Sequence, residues 1–284
     1  MILFDAVTKT FPAAGNTVSV AVKNFSLTIP SQTTVCFVGS SGCGKTTLLR
    51  MVNRMVDPTS GAIFIDDLNV MDADPVQLRR SIGYVLQNGG LFPHRTIEDN
   101  VAEVLVLNGA KRSDARRQVP ELLERVGLDA NLRRRYPAQL SGGQQQRVGV
   151  ARAIATDPNI LLMDEPFGAV DPIVRRELQD ELIQMKQELG KTTIFITHDV
   201  QEALRIGDYV VVLEKGAEIA QKGTPAEVAG NPKSEFVRKF LGTSASERPL
   251  HVRDVDGQQI AYDEYGVPVG NIGSVTPGIG GEPS

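Results

Sequence analysis

Hydrophobic and polar positions change their period along this chain, and each change predicts a different kind of element. Val18 to Ile29 alternates apolar and polar residues, and short apolar runs occupy Ile2 to Thr8, Thr33 to Val38 and, after the turn pair Ser60-Gly61, Ala62 to Ile65. That is the signature of strands, so the opening third reads as β-rich. Between Thr96 and Thr156 the spacing becomes helical, with Val119, Leu122, Leu123 and Val126 on one face of a helix over Arg112 to Val126 and a second helix over Ser141 to Thr156. From Asn159 strand and helix alternate: Ile160 to Met163, a helix from Pro172 to Leu189, Thr192 to Thr197, and a helix from Asp199. A hairpin of Tyr209 to Glu214 with Glu218 to Gln221 then turns on Lys215-Gly216. Strand-helix alternation of this kind predicts an α/β fold with a mainly parallel sheet. No internal repeat interrupts it.

After Gly242 the residues shift to Ser, Gly and Pro, with too few clustered apolar side chains for a core, so 243–284 reads as a tail. Within it, Asp256-Gly257 lies between His251-Val252-Arg253 and Ile260-Ala261-Tyr262, the pattern of a small hairpin at 250–269.

A chain of 284 residues suits one large or two modest domains, and 41% hydrophobic with 23% charged residues is ordinary globular usage. The net charge of −4 lacks the basic excess of a dedicated nucleic-acid binder, so no nucleic-acid partner is expected. No apolar run approaches the roughly 20 residues of a membrane-spanning helix. Two cysteines, Cys36 and Cys43, and an N-terminus without a signal-peptide pattern fit a reducing, cytosolic setting.

Chemistry enters where strands end. Val35 to Val38 runs into Gly39-Ser40-Ser41-Gly42-Cys43-Gly44-Lys45-Thr46-Thr47, and a helical run from Leu48 to Met55 follows. Glycines here let backbone N–H groups turn around a polyphosphate, the helix N-terminus adds a positive dipole end, Lys45 reaches the β- and γ-phosphates, and the Thr46 hydroxyl suits Mg²⁺. A second buried strand, Asn159 to Met163, ends in Asp164-Glu165. Asp164 suits a water-mediated Mg²⁺ contact, and Glu165 suits polarising a water against the γ-phosphate. Two further strands end in Gln87 and His198. Ligands in open α/β sheets sit beyond the carboxyl ends of strands, so these groups are expected to converge, Gln87 on Mg²⁺ or water and His198 on a phosphate oxygen. The competing reading of His198 is local, because Asp199 and Glu202 also form a D-x-x-E helix start.

Ser141-Gly142-Gly143-Gln144 opens another helix, with Ser141 and Gln144 in capping-box spacing. A hydroxyl and free N–H groups at a helix N-terminus also make a second phosphate cradle.

In this ordered set the chain resembles the ATP-binding cassette (ABC) ATPases over roughly residues 1–242. The resemblance implies a P-loop cassette with a parallel core sheet, an antiparallel β subdomain and an inserted helical subdomain at about 88–156. It further implies binding of ATP and Mg²⁺, a Q-loop at Gln87, a signature at Leu140 to Gln144, a D-loop aspartate at Asp171, a switch histidine at His198, and Phe11 stacked on adenine. Two cassettes, as a homodimer or with a second cassette chain, would close head to tail, Ser141 and Gly143 of one meeting ATP held by Lys45 of the other. Ser81 to Gln87, Leu91 to Asn100 and Asp164 to Pro172 resemble the ATPase subunits of glycine betaine, carnitine and choline importers. That narrower likeness implies permease subunits in the membrane, an extracytoplasmic substrate-binding protein, a place on the cytoplasmic face, and a permease contact at Leu91, Phe92 and Pro93. Members of that group often carry paired CBS domains after the cassette, whereas 42 residues follow Gly242 here. Arg133-Arg134-Arg135 reads as a solvated helix end that could also face lipid headgroups.

Two other classes compete: an importer ATPase for another small solute such as an amino acid, and a soluble cassette protein of DNA repair or translation. The latter predicts a sustained heptad insertion or a second Gly-x4-Gly-Lys, and neither occurs. A P-loop GTPase would carry Asn-Lys-x-Asp, which is also absent.

Overall fold

The computed structural model describes residues 1–13, 17–87, 89–168, 170–242, 251–255, 258–262 and 268–271. The chain divides into two compact units, Met1–Val237 and Arg238–Ser284.

The first unit opens with β1 (Ile2–Pro12) and β2 (Val18–Ile29), followed by β3 (Thr34–Gly39), α1 (Lys45–Val52), β4 (Ser60–Ile65) and β5 (Leu68–Asn69). Next come α2 (Pro75–Arg80), β6 (Ile82–Val85), α3 (Ile97–Leu107), α4 (Arg112–Glu124) and α5 (Gly142–Ile154). The alternating stretch then gives β7 (Ile160–Asp164), α6 (Pro172–Leu189), β8 (Thr192–Thr197), α7 (Val200–Ile206), β9 (Tyr209–Glu214), β10 (Glu218–Gly223) and α8 (Pro225–Gly230). α9 (Glu235–Leu241) follows, and β11 (His251–Val255), β12 (Gln258–Tyr262) and β13 (Pro268–Asn271) close the described chain.

Among the described residues the strands form three sheets. One is antiparallel, in the order β2-β1-β4-β5. The central one has the order β10-β9-β3-β8-β7-β6, parallel from β9 to β6 with β10 antiparallel at the edge. The α/β fold with a mainly parallel core is therefore the observed one. Every residue of β3, β7 and β8 is buried, as expected of parallel strands covered on both faces. The third sheet, β11-β12-β13, is antiparallel and belongs to the second unit. The Asp256-Gly257 pair of the expected hairpin at 250–269 and most of the Gly-, Pro- and Ser-rich segment lie outside the described residues.

One hydrophobic core ties the antiparallel sheet to the parallel one through α1: Phe4 and Ile63, Leu48 and Met51, and Phe37 and Leu162 belong to the same buried cluster. Each such side chain contributes about 1.5–3 kcal/mol on burial. The seam between the sheets also has a main-chain component, since Lys23 N–H on β2 donates to Gly216 O in the β9–β10 turn at 2.8 Å; in the same turn Ala217 N–H donates to Cys43 O of the loop after β3 at 2.7 Å.

Two of the boundaries that differ from the periodicity have a visible cause. β1 extends to Pro12 because its far end pairs with β2, Phe11 opposite Ser19. The helix expected over Leu48 to Met55 starts at Lys45 and stops at Val52. There Arg54 takes φ +53°, and the Arg79 guanidinium binds the carbonyls of Asn53 and Arg54, so tertiary contacts override a helix-compatible run.

Candidate active site

The site is built from the carboxyl ends of β3, β7 and β8, which lie side by side in the sheet. Gly39 ends β3, and residues 40–44 turn into α1. Gly44 holds φ +117°, and a Cβ there would stand 2.5 Å from Ala21 O on β2, so the position admits only glycine. α1 starts without a side-chain cap and without an acidic residue in its first turn, leaving its N-terminal N–H groups and dipole end for an anion. They border a cavity of about 150 Å³ with Ala21, Ser41, Gly42, Lys45, Thr46 and Glu165 among its walls; Thr47 also lines it.

Lys45 is almost fully buried, and its ammonium donates to Gly39 O at 2.7 Å and Ser40 O at 3.0 Å. Cys43 turns its thiol into the core, 3.7 Å from Lys45 Nζ, and its N–H donates to Ser40 O. Thr46 Oγ1 donates to Asp164 Oδ1 at 3.0 Å.

Asp164 is 8% exposed. Burial pushes its carboxyl above the ordinary value and the charge of Glu165 adds to this, while the Thr46 hydrogen bond and the Arg50 charge pull the other way. A divalent cation would relieve this desolvated carboxylate. Among the described residues no cluster of three His, Cys, Asp or Glu side chains could hold a metal by protein ligands alone. Thr46 and Asp164 thus fit a Mg²⁺ ion that draws most of its oxygens from phosphate and water.

Glu165 follows with φ +46°, a left-handed backbone that costs a residue with a side chain about 1–2 kcal/mol. Its N–H is held by Ile196 O at 3.0 Å, and its carboxylate meets His198 Nδ1 at 3.1 Å. Glu165 thus stands in the phosphate-loop cavity and touches the histidine at the end of β8. Gln87 is exposed, with its amide against Gly168 on the loop after Glu165.

The second cradle is separately constructed. Ser141 caps α5: Gln144 N–H donates to Ser141 Oγ at 3.3 Å, and Ser141 N–H donates to Gln144 Oε1 at 3.0 Å. Ser141 and Gly142 are exposed and Gly143 is buried.

Comparison with known proteins gives this geometry its family. Residues 22–168, just over half of the chain, match the family model described as ABC transporter. The chain belongs to the ABC transporter family. Among curated members it is 49% identical over 244 residues to the carnitine transport ATP-binding protein OpuCA of Listeria monocytogenes, covering 85% of this chain and 60% of that protein. It is 43% identical over 256 residues to the glycine betaine uptake system ATP-binding protein YehX of Escherichia coli K12, covering 90% of this chain and 81% of that protein. Among solved structures, the dimeric bacterial ABC transporter cassette MJ0796 superimposes with a TM-score of 0.71 at 35% identity, over 79% of this chain and 99% of that one. The chain spans about three-fifths of the length of OpuCA.

Within the family frame, the remaining expected residues fall as follows. Phe11 is 38% exposed near the end of β1, with Lys9 Nζ 5.0 Å from its ring centroid. Asp171 precedes α6, and its carbonyl accepts the Arg175 N–H. Asp199 caps α7 through Gln201 and Glu202 N–H, yet Glu202 does not return to the cap. Its carboxyl is buried, accepting from Gln179 Nε2 at 3.0 Å and bonded to Thr197.

Sequence reasoning missed two contributors. Ala21 enters the cavity from β2, and Tyr84 OH lies 3.5 Å from Asp164 Oδ2. Tyr84 did carry a signal, being the residue with a polar tip in a strand that pairs with β7, opposite Leu162.

Proposed function

We propose that this chain is the ATP-hydrolysing subunit of an ABC importer that powers uptake of a quaternary ammonium osmoprotectant (glycine betaine, choline or carnitine) through a separate membrane permease. The observation that carries the reading is one cavity holding an uncapped helix N-terminus, Lys45, and Glu165 paired with His198. The cargo class is supported by the relatives named for carnitine and glycine betaine transport.

ATP is the substrate. The loop N–H groups from Gly39 to Thr47 and the Lys45 ammonium hold its β- and γ-phosphates. Mg²⁺, when bound, neutralises charge on the phosphate oxygens; Thr46 and Asp164 would hold it, with Gln87 as a further ligand. Glu165 draws a proton from a water whose oxygen attacks the γ-phosphorus as the bond to the β,γ-bridging oxygen breaks, releasing ADP and phosphate. His198, anchored on the Glu165 carboxylate, presents its other ring nitrogen to a γ-phosphate oxygen. Phe11 stacks on adenine.

Ser141, Gly142, Gly143 and Gln144 of a second copy, or of a second cassette chain, complete the site, with Asp171 at the junction. In this reading residues 1–242 form the ATPase domain with its helical subdomain at about 88–156, and 243–284 is a Gly-, Pro- and Ser-rich tail. Leu91, Phe92 and Pro93 meet the permease on the cytoplasmic face of the membrane, Phe92 being 43% exposed. An extracytoplasmic binding protein delivers the solute. Among the described residues no helix is long and apolar enough to cross a membrane; the proposed attachment is through the permease.

The test is uptake of labelled glycine betaine, choline and carnitine in cells lacking the chain, complemented by wild type or by Glu165→Gln. Restoration by wild type alone supports both motor and cargo. A purified chain that hydrolyses ATP while none of the three solutes responds replaces the cargo with another small solute.

A further inference from the structure

The loop that follows Gln87 is tied to two helices by side chains that no motif predicted. Arg152, on the last turn of α5, donates from one guanidinium nitrogen to Gly89 O at 2.7 Å and from another to Gly90 O at 2.8 Å. Arg152 is half-buried, and its two bonds fix the fork in direction as well as in charge. The backbones themselves touch alongside it: a Cβ on Gly149 of α5 would stand 2.9 Å from Gly89 Cα, and one on Gly89 would stand 2.8 Å from Gln145 O. The far half of the loop is held on α3 by Asn100, fully buried, which accepts the Phe92 N–H at 2.7 Å and donates to the carbonyls of Phe92, Arg95 and Thr96.

We propose that Arg152 is a positioning residue that clamps the 89–90 turn to the helix headed by Ser141, so that the loop after Gln87 and the second cradle move as one body. The inference deepens the proposed function and rests on it for its consequence: a push on Leu91 to Pro93 arrives at Ser141 without slack. The physical reason is that two carbonyls held by one planar guanidinium fix both translation and rotation of the turn, which a single point-charge contact does not. Arg152 touches neither the phosphate loop nor the Glu165–His198 pair in its hydrogen bonds, so its effect falls on closure rather than on nucleotide capture.

Spin labels on His94→Cys and Ala138→Cys, both exposed positions, measure the clamp by double electron–electron resonance with and without Mg-ATP; the native Cys36 and Cys43 are buried. The expected result is one narrow distance that ATP does not change. In Arg152→Lys and Arg152→Ala the distribution widens at least twofold and kcat falls at least tenfold, while ATP affinity of the isolated chain stays within twofold. A distribution that stays narrow without Arg152, or an unchanged kcat, overturns the inference. Should the alanine variant fail to fold, the lysine variant, which keeps the charge and loses the fork, decides. Wild type that hydrolyses no ATP would strike the proposed function instead, and the label distances would still test the clamp.

Discussion

The two helix N-termini that could cradle phosphate are built on opposite plans. α1 begins at Gly44 with no side-chain cap, so its orphan N–H groups have a cavity and Lys45 in front of them and await an anion. α5 begins with a complete Ser141–Gln144 capping box and is already satisfied without one. An uncapped end gains about 1 kcal/mol or more when an anion takes the place of a cap, whereas a capped end has only its hydroxyl and the Gly142 and Gly143 N–H groups to offer. The first terminus is therefore open to an anion, as the proposed ATP site requires. The second is closed by its own cap, which fits the proposal that it meets nucleotide only across a cassette pair.

Four substitutions break or sharpen that contrast. Glu165→Gln should lower ATP turnover about a thousandfold, within the range of a lost general base, while leaving ATP binding intact and trapping a closed pair visible by size-exclusion chromatography. Normal turnover in that variant would remove Glu165 from the mechanism. Lys45→Ala should weaken ATP binding by the isolated chain about 100-fold, near 2.7 kcal/mol, because the receptor cradle loses its only ammonium; calorimetric titration checks it. Ser141→Ala should cost about 1 kcal/mol of stability through the lost cap and weaken ATP-driven pairing, with binding by the isolated chain unchanged. Weaker binding by that lone chain would show that the cradles are not divided as described.

Glu202→Gln, at a carboxyl bonded to Thr197 and Gln179 and in neither cradle, should have the smallest effect. Burial raises the Glu202 pKa, against the hydrogen bonds of Thr197 and Gln179. A folded-state value above the unfolded one of about 4.3 means the folded chain binds this proton more tightly, so stability is lost as pH rises through the folded value. The variant should therefore show a higher Tm than wild type at neutral pH, a gain that vanishes near about pH 4; a pH-independent difference would contradict the burial argument.

The placement of the candidate groups was legible in the sequence wherever it depends on residues adjacent along the chain: Gly39 to Thr47 after β3, Asp164-Glu165 at the end of β7, and the Ser141–Gln144 box at the start of α5. Contacts between distant segments were not. Tyr84 meets Asp164 across β6 and β7, and Ala21 reaches the cavity from a strand read only as alternating surface. The D-x-x-E spacing offers Glu202 as half of a capping pair, the competing local reading beside His198, but Glu202 is a buried acceptor, because Asp199 alone caps α7 and Gln179 donates to the Glu202 carboxylate. Arg152 lies within the helix expected over Ser141 to Thr156, but its partners, the carbonyls of Gly89 and Gly90, belong to a distant segment. The left-handed turn at Glu165 has no local cue either, since nothing in Asp-Glu-Pro demands it; the hydrogen bond to Ile196 on β8 does.

The seam that joins the phosphate loop to the neighbouring sheet runs from Ala217 N–H to Cys43 O and from Lys23 N–H to Gly216 O. Because both partners in each bond are peptide groups, the joint is indifferent to which side chains occupy those positions. Sequence drift can rewrite the exposed Lys23 without cutting it, and an alanine scan would pass over its peptide bonds in silence. A proline at 217 would sever it at once, since Ala217 sits at φ +57° and must keep its N–H. Inheritance of this joint is carried by chain geometry, not by residue identity.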